Sequence, residues 1–284
     1  MSSENLRPTH TEPVPKPCLP KEGWHVLHLF YHVNRSQWDL MGEEAQAAAR
    51  QNLVELVKSI RSHPSTQLLL FSMIGPKSDL GMMLLTPDLH DANRFEKALT
   101  VALGPDVLLP VYSYLSMTEL SEYTTTEEQF ARELEVNEKL TPGTESFALR
   151  MGEWKARMKK YNMDRLYPNM PDWQVFCFYN MSKRRNVGQN WYATDYETRR
   201  VLMGGHARTG RKWAGKIRQL ITGSTGLDEA EWGVTLFGHD THDIKGIVYE
   251  MRFDEVSAVF AEFGDFYIGL QMPVDALFER LMIA

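Results

Sequence analysis

The stretch that decides the fold is Gln67-Leu68-Leu69-Leu70-Phe71-Ser72-Met73-Ile74, a turn at Gly75-Pro76, then Gly81-Met82-Met83-Leu84-Leu85. Two short apolar runs separated by Gly-Pro predict a pair of adjacent strands. Upstream, Trp24 to Val33 predicts a strand. Gln37 to Ile60 predicts a helix, with Ser36 as its N-cap and Ala, Leu and Val at helical spacing. Downstream, Asp91 to Leu103 predicts a helix ending at Gly104-Pro105, and Val107 to Met117 a fourth strand. The order β-α-β-β-α-β is the ferredoxin-like unit.

The order repeats. Trp173 to Met181 predicts a strand, Asp195 to Thr222 a long helix, and Trp232 to Phe237 and Ile244 to Arg252 two strands. Glu255 to Phe266 predicts a helix, Tyr267 to Met272 a strand and Val274 to Met282 a closing helix. The chain therefore divides into an irregular, proline-rich arm (1–22), a first ferredoxin-like domain (23–123), a helical connecting segment (124–172) and a second ferredoxin-like domain (173–284). Two such units pair their sheets into an α+β barrel able to bury a flat ligand between sheet and helices.

The chain has 284 residues with 43% hydrophobic side chains and a formal net charge of -6. That composition buries a real core. The negative field, with no basic run longer than Lys183-Arg184-Arg185, argues against nucleic acid. Two cysteines, Cys18 and Cys177, are too few for a cysteine-based zinc or iron–sulfur site or a disulfide framework. No signal sequence and no membrane-length apolar run is read, so a cytoplasmic protein without a membrane span is expected. Dinucleotide, P-loop, G-x-S-x-G and H-E-x-x-H signatures are absent.

Within Asp195 to Thr222 the segment Met203-Gly204-Gly205-His206, then Gly210 and Gly215, is unusual. Each glycine in a helix costs about 1 kcal/mol relative to alanine, so a cluster of them points to close approach by something flat. At helical spacing His206 shares an apolar face with Leu202, Gly210, Trp213 and Ile217. A neutral imidazole there suits an axial ligand of haem iron; it equally suits a core histidine bonded to a carbonyl. On the strand ending in Lys183, the residues Tyr179, Met181 and Lys183 share one face. A phenol, a thioether and a cation suit a ligand aromatic in the middle and anionic at its edge, or an ordinary edge strand with snorkelling cations.

Tyr179-Asn180-Met181-Ser182-Lys183-Arg184-Arg185 resembles the Tyr-Pro-Met-Ser-Lys-Arg-Arg block of coproheme decarboxylases in the chlorite dismutase superfamily. Gly223-Ser224-Thr225-Gly226-Leu227-Asp228 with Glu231-Trp232-Gly233-Val234, and Lys245 to Ser257, resemble that family's further blocks. The resemblance implies a homopentamer that uses hydrogen peroxide to decarboxylate two propionates of coproheme (iron coproporphyrin III), giving haem b. By matching position it implies His206 as iron ligand, Tyr179 as radical relay, and Lys183 as a propionate contact that serves the second decarboxylation. Arg165 and Ser257 match further propionate contacts, Met181 a neighbour of the reactive propionate, and Gln219 the distal position. Chlorite dismutases carry arginine there, so glutamine favours decarboxylation over chlorite turnover or peroxidase activity. On a helix, Gln219 lies about 220° beyond whole turns from His206; its distal role comes from the resemblance alone. Asn180 departs from the family's proline. A haem carrier is the alternative: it needs His206 and the cations but not Tyr179. A ferrochelatase is the expected transient partner.

Overall fold

The structure, a computed structural model, describes residues 16–284; residues 1–15, most of the expected arm, lie outside the described residues. The first half runs β1 (His25–Val33), α1 (Arg35–Asp39), α2 (Glu43–Ser62), β2 (Gln67–Ile74), β3 (Leu80–Thr86), α3 (Leu89–Val101) and β4 (Leu108–Thr118). The single helix expected over 37–60 is thus two: α1, capped by Asn34, ends at Asp39 with Leu40 as its C-cap, and Gly42 is the N-cap of α2. The connecting segment holds α4 (Glu127–Asn137) and α5 (Glu145–Leu166). A capping box at Thr126 and Gln129 starts α4.

The second half begins with β5 (Val175–Lys183), a small hairpin of β6 (Arg185–Asn186) and β7 (Gln189–Asn190), and a 3-10 turn at Trp191–Ala193. It continues with α6 (Tyr196–Arg211), β8 (Ile217–Gly223), β9 (Trp232–Gly238), α7 (Thr241–Met251), α8 (Glu255–Phe260), β10 (Ala261–Gln271) and α9 (Val274–Arg280). Three expectations are corrected here. The long helix over 195–222 stops at Arg211: Gly215 takes a positive φ of 85°, and the stretch after it, with β-branched Ile217, Ile221 and Thr222, pairs with β9 as β8. Gln219 therefore sits on a strand. The strand expected over 244–252 is helix α7. Asp240 caps it by accepting from the Asp243 N–H at 2.8 Å, and Ile244, Ile247 and Met251 are buried at helical spacing. The helix expected over 255–266 ends at Phe260, and its second half is strand.

The strands close into one antiparallel barrel in the order β1-β3-β2-β10-β5-β9-β8-β4. Each half contributes four strands in the same internal order, so the α+β architecture is a pair of ferredoxin-like units. The halves meet at β2–β10, with four residue pairs, and at β4–β8, where only Met117↔Gly223 and Thr118↔Thr222 pair. Inward side chains of both halves form one aromatic interior with Phe30, Phe71, Phe176, Phe178 and Phe237. Phe71 and Phe176 stack at 3.8 Å. Each such ring contributes about 1.5–3 kcal/mol on burial. His28 lies fully buried among them, its Nε2 2.9 Å from the Thr235 hydroxyl.

Outside the barrel the halves differ. Over the first sheet, α2, α3 and α9 fill the space with Leu53, Val57, Ile60, Phe95, Leu99 and Leu277. Over the second sheet, α7 packs closely, but α6 has no fully buried residue. Beneath it is a cavity.

Candidate functional site

Alternation along β5 builds one wall. Phe176 and Phe178 point into the barrel, while Val175, Cys177 and Tyr179 point outward against Ile217, Val234, Leu236 and Ile247. Met181 and Lys183 continue that outer row. The cavity they enter holds about 650 Å³, within the usual range for small-molecule sites. All seven residues singled out from the sequence line it: Arg165, Tyr179, Met181, Lys183, His206, Gln219 and Ser257. Met203, Ile221, Trp232, Val234, Met251 and Phe263 supply apolar wall between them.

His206 is held by its far nitrogen. Nδ1 lies 2.9 Å from Asp254 Oδ2. A carboxylate acceptor places the ring proton on Nδ1 and leaves the Nε2 lone pair available; Nε2 makes no hydrogen bond with the described residues. Asp254 is also the N-cap of α8, accepting from the Ser257 N–H at 3.0 Å and the Ser257 hydroxyl at 3.2 Å. Burial opposes ionisation of Asp254, but the bonds from His206 and Ser257 outweigh it and hold the carboxyl below the usual range. The hydroxyl of Ser257 is thus committed to Asp254, and a propionate contact from it requires that bond to be released.

Lys183 is buried, and burial brings its ammonium down to about 8, against the opposing pull of Asp254 and Glu231. Its Nζ sits 4.7 Å from the centroid of the Trp191 ring and forms no ion pair among the described residues. Its backbone N–H donates to Glu231 Oε2 at 2.7 Å, and Arg185 holds the other Glu231 oxygen at 2.9 Å. Tyr179 is buried, and desolvation pushes its phenol above the ordinary range. Phe266 stacks on it at 4.5 Å and Phe263 lies at 5.7 Å. Arg165, at the rim, donates from Nε to the Glu119 carbonyl at 3.1 Å. Gln219 faces Gly210 of α6, where the missing side chain leaves room for it and for Met251. Gly204 and Gly205 do not line the cavity; only the Arg208 side chain approaches them.

Sequence reasoning did not find Asp254, Trp191, Phe263 or Phe266. Asp254 had a signal, since Asp254-x-x-Ser257 reads as an N-cap with a second hydroxyl. The others depend on folding back of β10 and the 3-10 turn.

Fold and cavity define an antiparallel barrel protein whose second half keeps a ligand site beside a carboxylate-held imidazole. The chain belongs to the chlorite dismutase family, whose family model matches residues 44–272. The coproheme decarboxylase of Staphylococcus carnosus (strain TM300) is 38% identical over 259 residues, covering 90% of this chain and 94% of that one. A haem-binding protein from Thermus thermophilus is 34% identical, with a TM-score of 0.76 over 92% of this chain and 96% of its own. Chlorite dismutase from Candidatus Nitrospira defluvii in complex with imidazole is 15% identical, with a TM-score of 0.68 over 92% and 96% of the two chains, and shows the fold alone.

Proposed function

We propose that this protein converts coproheme to haem b by peroxide-dependent oxidative decarboxylation of two propionates. For each propionate the balance is R–CH2CH2–COO⁻ + H⁺ + H2O2 → R–CH=CH2 + CO2 + 2 H2O. The observation that carries the reading is the convergence of Tyr179, Lys183 and His206 on one cavity, in a chain 38% identical to a coproheme decarboxylase. The donor set fits an iron porphyrin. Among the described residues it offers an imidazole nitrogen free of hydrogen bonds, a cation with no carboxylate in ion-pair contact, and apolar walls for a flat ring. When bound, the iron porphyrin supplies the redox chemistry with peroxide.

The chain's own residues divide the remaining work. His206 Nε2 holds the iron, and Asp254 fixes the ring that carries it. Lys183 and Arg165 take propionate carboxylates as charge-assisted partners. Tyr179 relays the oxidation: as a phenoxyl radical it takes one hydrogen atom from the reacting propionate, and the loss of carbon dioxide that leaves the vinyl group releases one further electron, which the peroxide-oxidised porphyrin would take up. Desolvation favours the protonated phenol, so Tyr179 gives up proton and electron together. Met181 borders the reacting propionate. Gln219 is neutral where chlorite dismutases carry a cation, which favours decarboxylation over chlorite turnover.

The family resemblance supports a cytoplasmic homopentamer with a transient hand-over contact to a ferrochelatase; sedimentation velocity tests the assembly. In the described residues no helix is long and apolar enough to cross a membrane. The deciding experiment is titration with coproheme followed by peroxide, with pigments identified by mass spectrometry. Loss of two carboxyls through a three-propionate intermediate is expected, and Tyr179→Phe should bind coproheme without making haem b. Bleached or unchanged pigment from the wild type would point to a haem carrier. Normal turnover by Tyr179→Phe would remove the relay.

A further inference from the structure

Strands β5 and β10 pair with one irregularity. Phe263 pairs with Met181, and Phe266 with Tyr179. Three steps along β10 thus match two along β5, and Gly264 and Asp265 together face Asn180. This is a β-bulge. In a regular strand, residues three apart point to opposite faces. The extra residue brings Phe263 and Phe266 to the same face, where both rings meet Tyr179. The aromatic clamp on the phenol exists because of the bulge.

On the other side of the sheet, the Asn180 side chain occupies the space that a β-carbon at Gly264 would need. Asn180 Nδ2 donates to the Tyr112 hydroxyl at 2.6 Å and to Glu229 Oε1 at 3.4 Å. The Tyr112 hydroxyl donates in turn to the same Glu229 oxygen at 3.0 Å. Tyr112 belongs to β4, in the other half of the barrel, and its ring lies parallel to Tyr267, just past the bulge, at 5.4 Å. Lys77, in the β2–β3 turn, pairs with Asp265 at 3.3 Å and donates to the Phe266 carbonyl at 3.3 Å.

We propose that Asn180 is a positioning residue for Tyr179: it fills the gap at Gly264, ties it to Tyr112 and Glu229, and so fixes the bulge that sets the phenylalanine clamp. Asn180 does not line the cavity. The catalytic consequence rests on the reading of Tyr179 as the relay; the positional one does not. It also gives a role to the residue at which this chain departs from the family block.

The test uses the full chain labelled with 3-fluorotyrosine, the Tyr179 fluorine resonance being assigned by its loss in Tyr179→Phe. Asn180→Ala should shift and broaden that resonance in the ligand-free protein. It should lower kcat roughly ten- to a hundred-fold with KM for coproheme unchanged. Gly264→Ala should do the same alone and add little in the Asn180→Ala background, because the two side chains compete for one space. An unmoved resonance, additive effects, or equal loss of kcat and coproheme affinity would each overturn the proposal. Should the wild type form no haem b while the resonance still moves, the relay reading fails and the positioning stands.

Discussion

Replacing Lys183 with methionine should make the ligand-free protein more stable and its porphyrin binding weaker. Burial takes the ammonium from 10.5 to about 8, which at 1.36 kcal/mol per pH unit is roughly 3 kcal/mol against the charged form. The Trp191 face offsets about 0.5–2 kcal/mol of this. Methionine keeps the stem's bulk, so a net gain of about 1–3 kcal/mol is expected at pH 7. The direction with pH follows from the lowered folded value. At pH 7 the lysine is charged in both folded and unfolded chains, and the penalty is fully present. As pH rises from about 8 to 10.5 the folded chain has lost the proton and the unfolded chain still holds it, so the penalty shrinks to nothing. Urea unfolding of both proteins at pH 7 and pH 10.5 reads the difference directly. Metal-free coproporphyrin III then gives the binding side, without iron, and should bind the variant more weakly. A variant less stable than wild type at pH 7, or an advantage that grows with pH, would refute the reasoning, since either requires a carboxylate partner for Lys183.

Asp254→Asn keeps the cap on α8 but unhooks His206; iron porphyrin affinity should fall about 10–100-fold, while metal-free porphyrin binds as before in parallel titrations. His28 is fully buried and burial lowers its value to about 3. Below pH 6.5 the unfolded chain takes up a proton that the folded chain refuses, so stability falls toward acid and the loss continues to about pH 3. By pH 5 this residue accounts for about 2 kcal/mol, and a His28→Leu variant should show that much less loss between pH 7 and pH 5 in urea unfolding. Glu231→Ala leaves the buried Lys183 N–H without its acceptor and should cost about 1–3 kcal/mol, seen as a lower melting temperature.

The first half of the barrel was legible because its signals are local. The Gly75-Pro76 turn and the apolar runs around it need no partner to be read. In the second half the order of elements came through but the elements themselves slid. Ile217 to Thr222 follows a helix with too weak a stop, and only the positive φ at Gly215 separates them. Ile247-Val248-Tyr249 is rich in strand formers, yet Asp240 and the buried spacing of Ile244, Ile247 and Met251 make it helical; packing outweighed propensity. The seven residues expected at the site are given by resemblance, while His206 also stands out by its glycine-flanked helical face and Tyr179, Met181 and Lys183 by strand alternation. The bulge in β10 was beyond sequence reasoning, because a bulge is a property of two strands in register.

The two halves of the barrel share a strand order but not a burden. In the first, helices α2, α3 and α9 close over the sheet with leucine, valine and isoleucine; in the second, α6 spans a hollow and buries nothing completely. Substitutions will therefore be felt in two currencies. Those under α2 and α3 act on how much folded protein a cell retains, and those under α6 on what each folded molecule can do. A survey that scores abundance and turnover separately for every position should draw the boundary between the halves without reference to any structure.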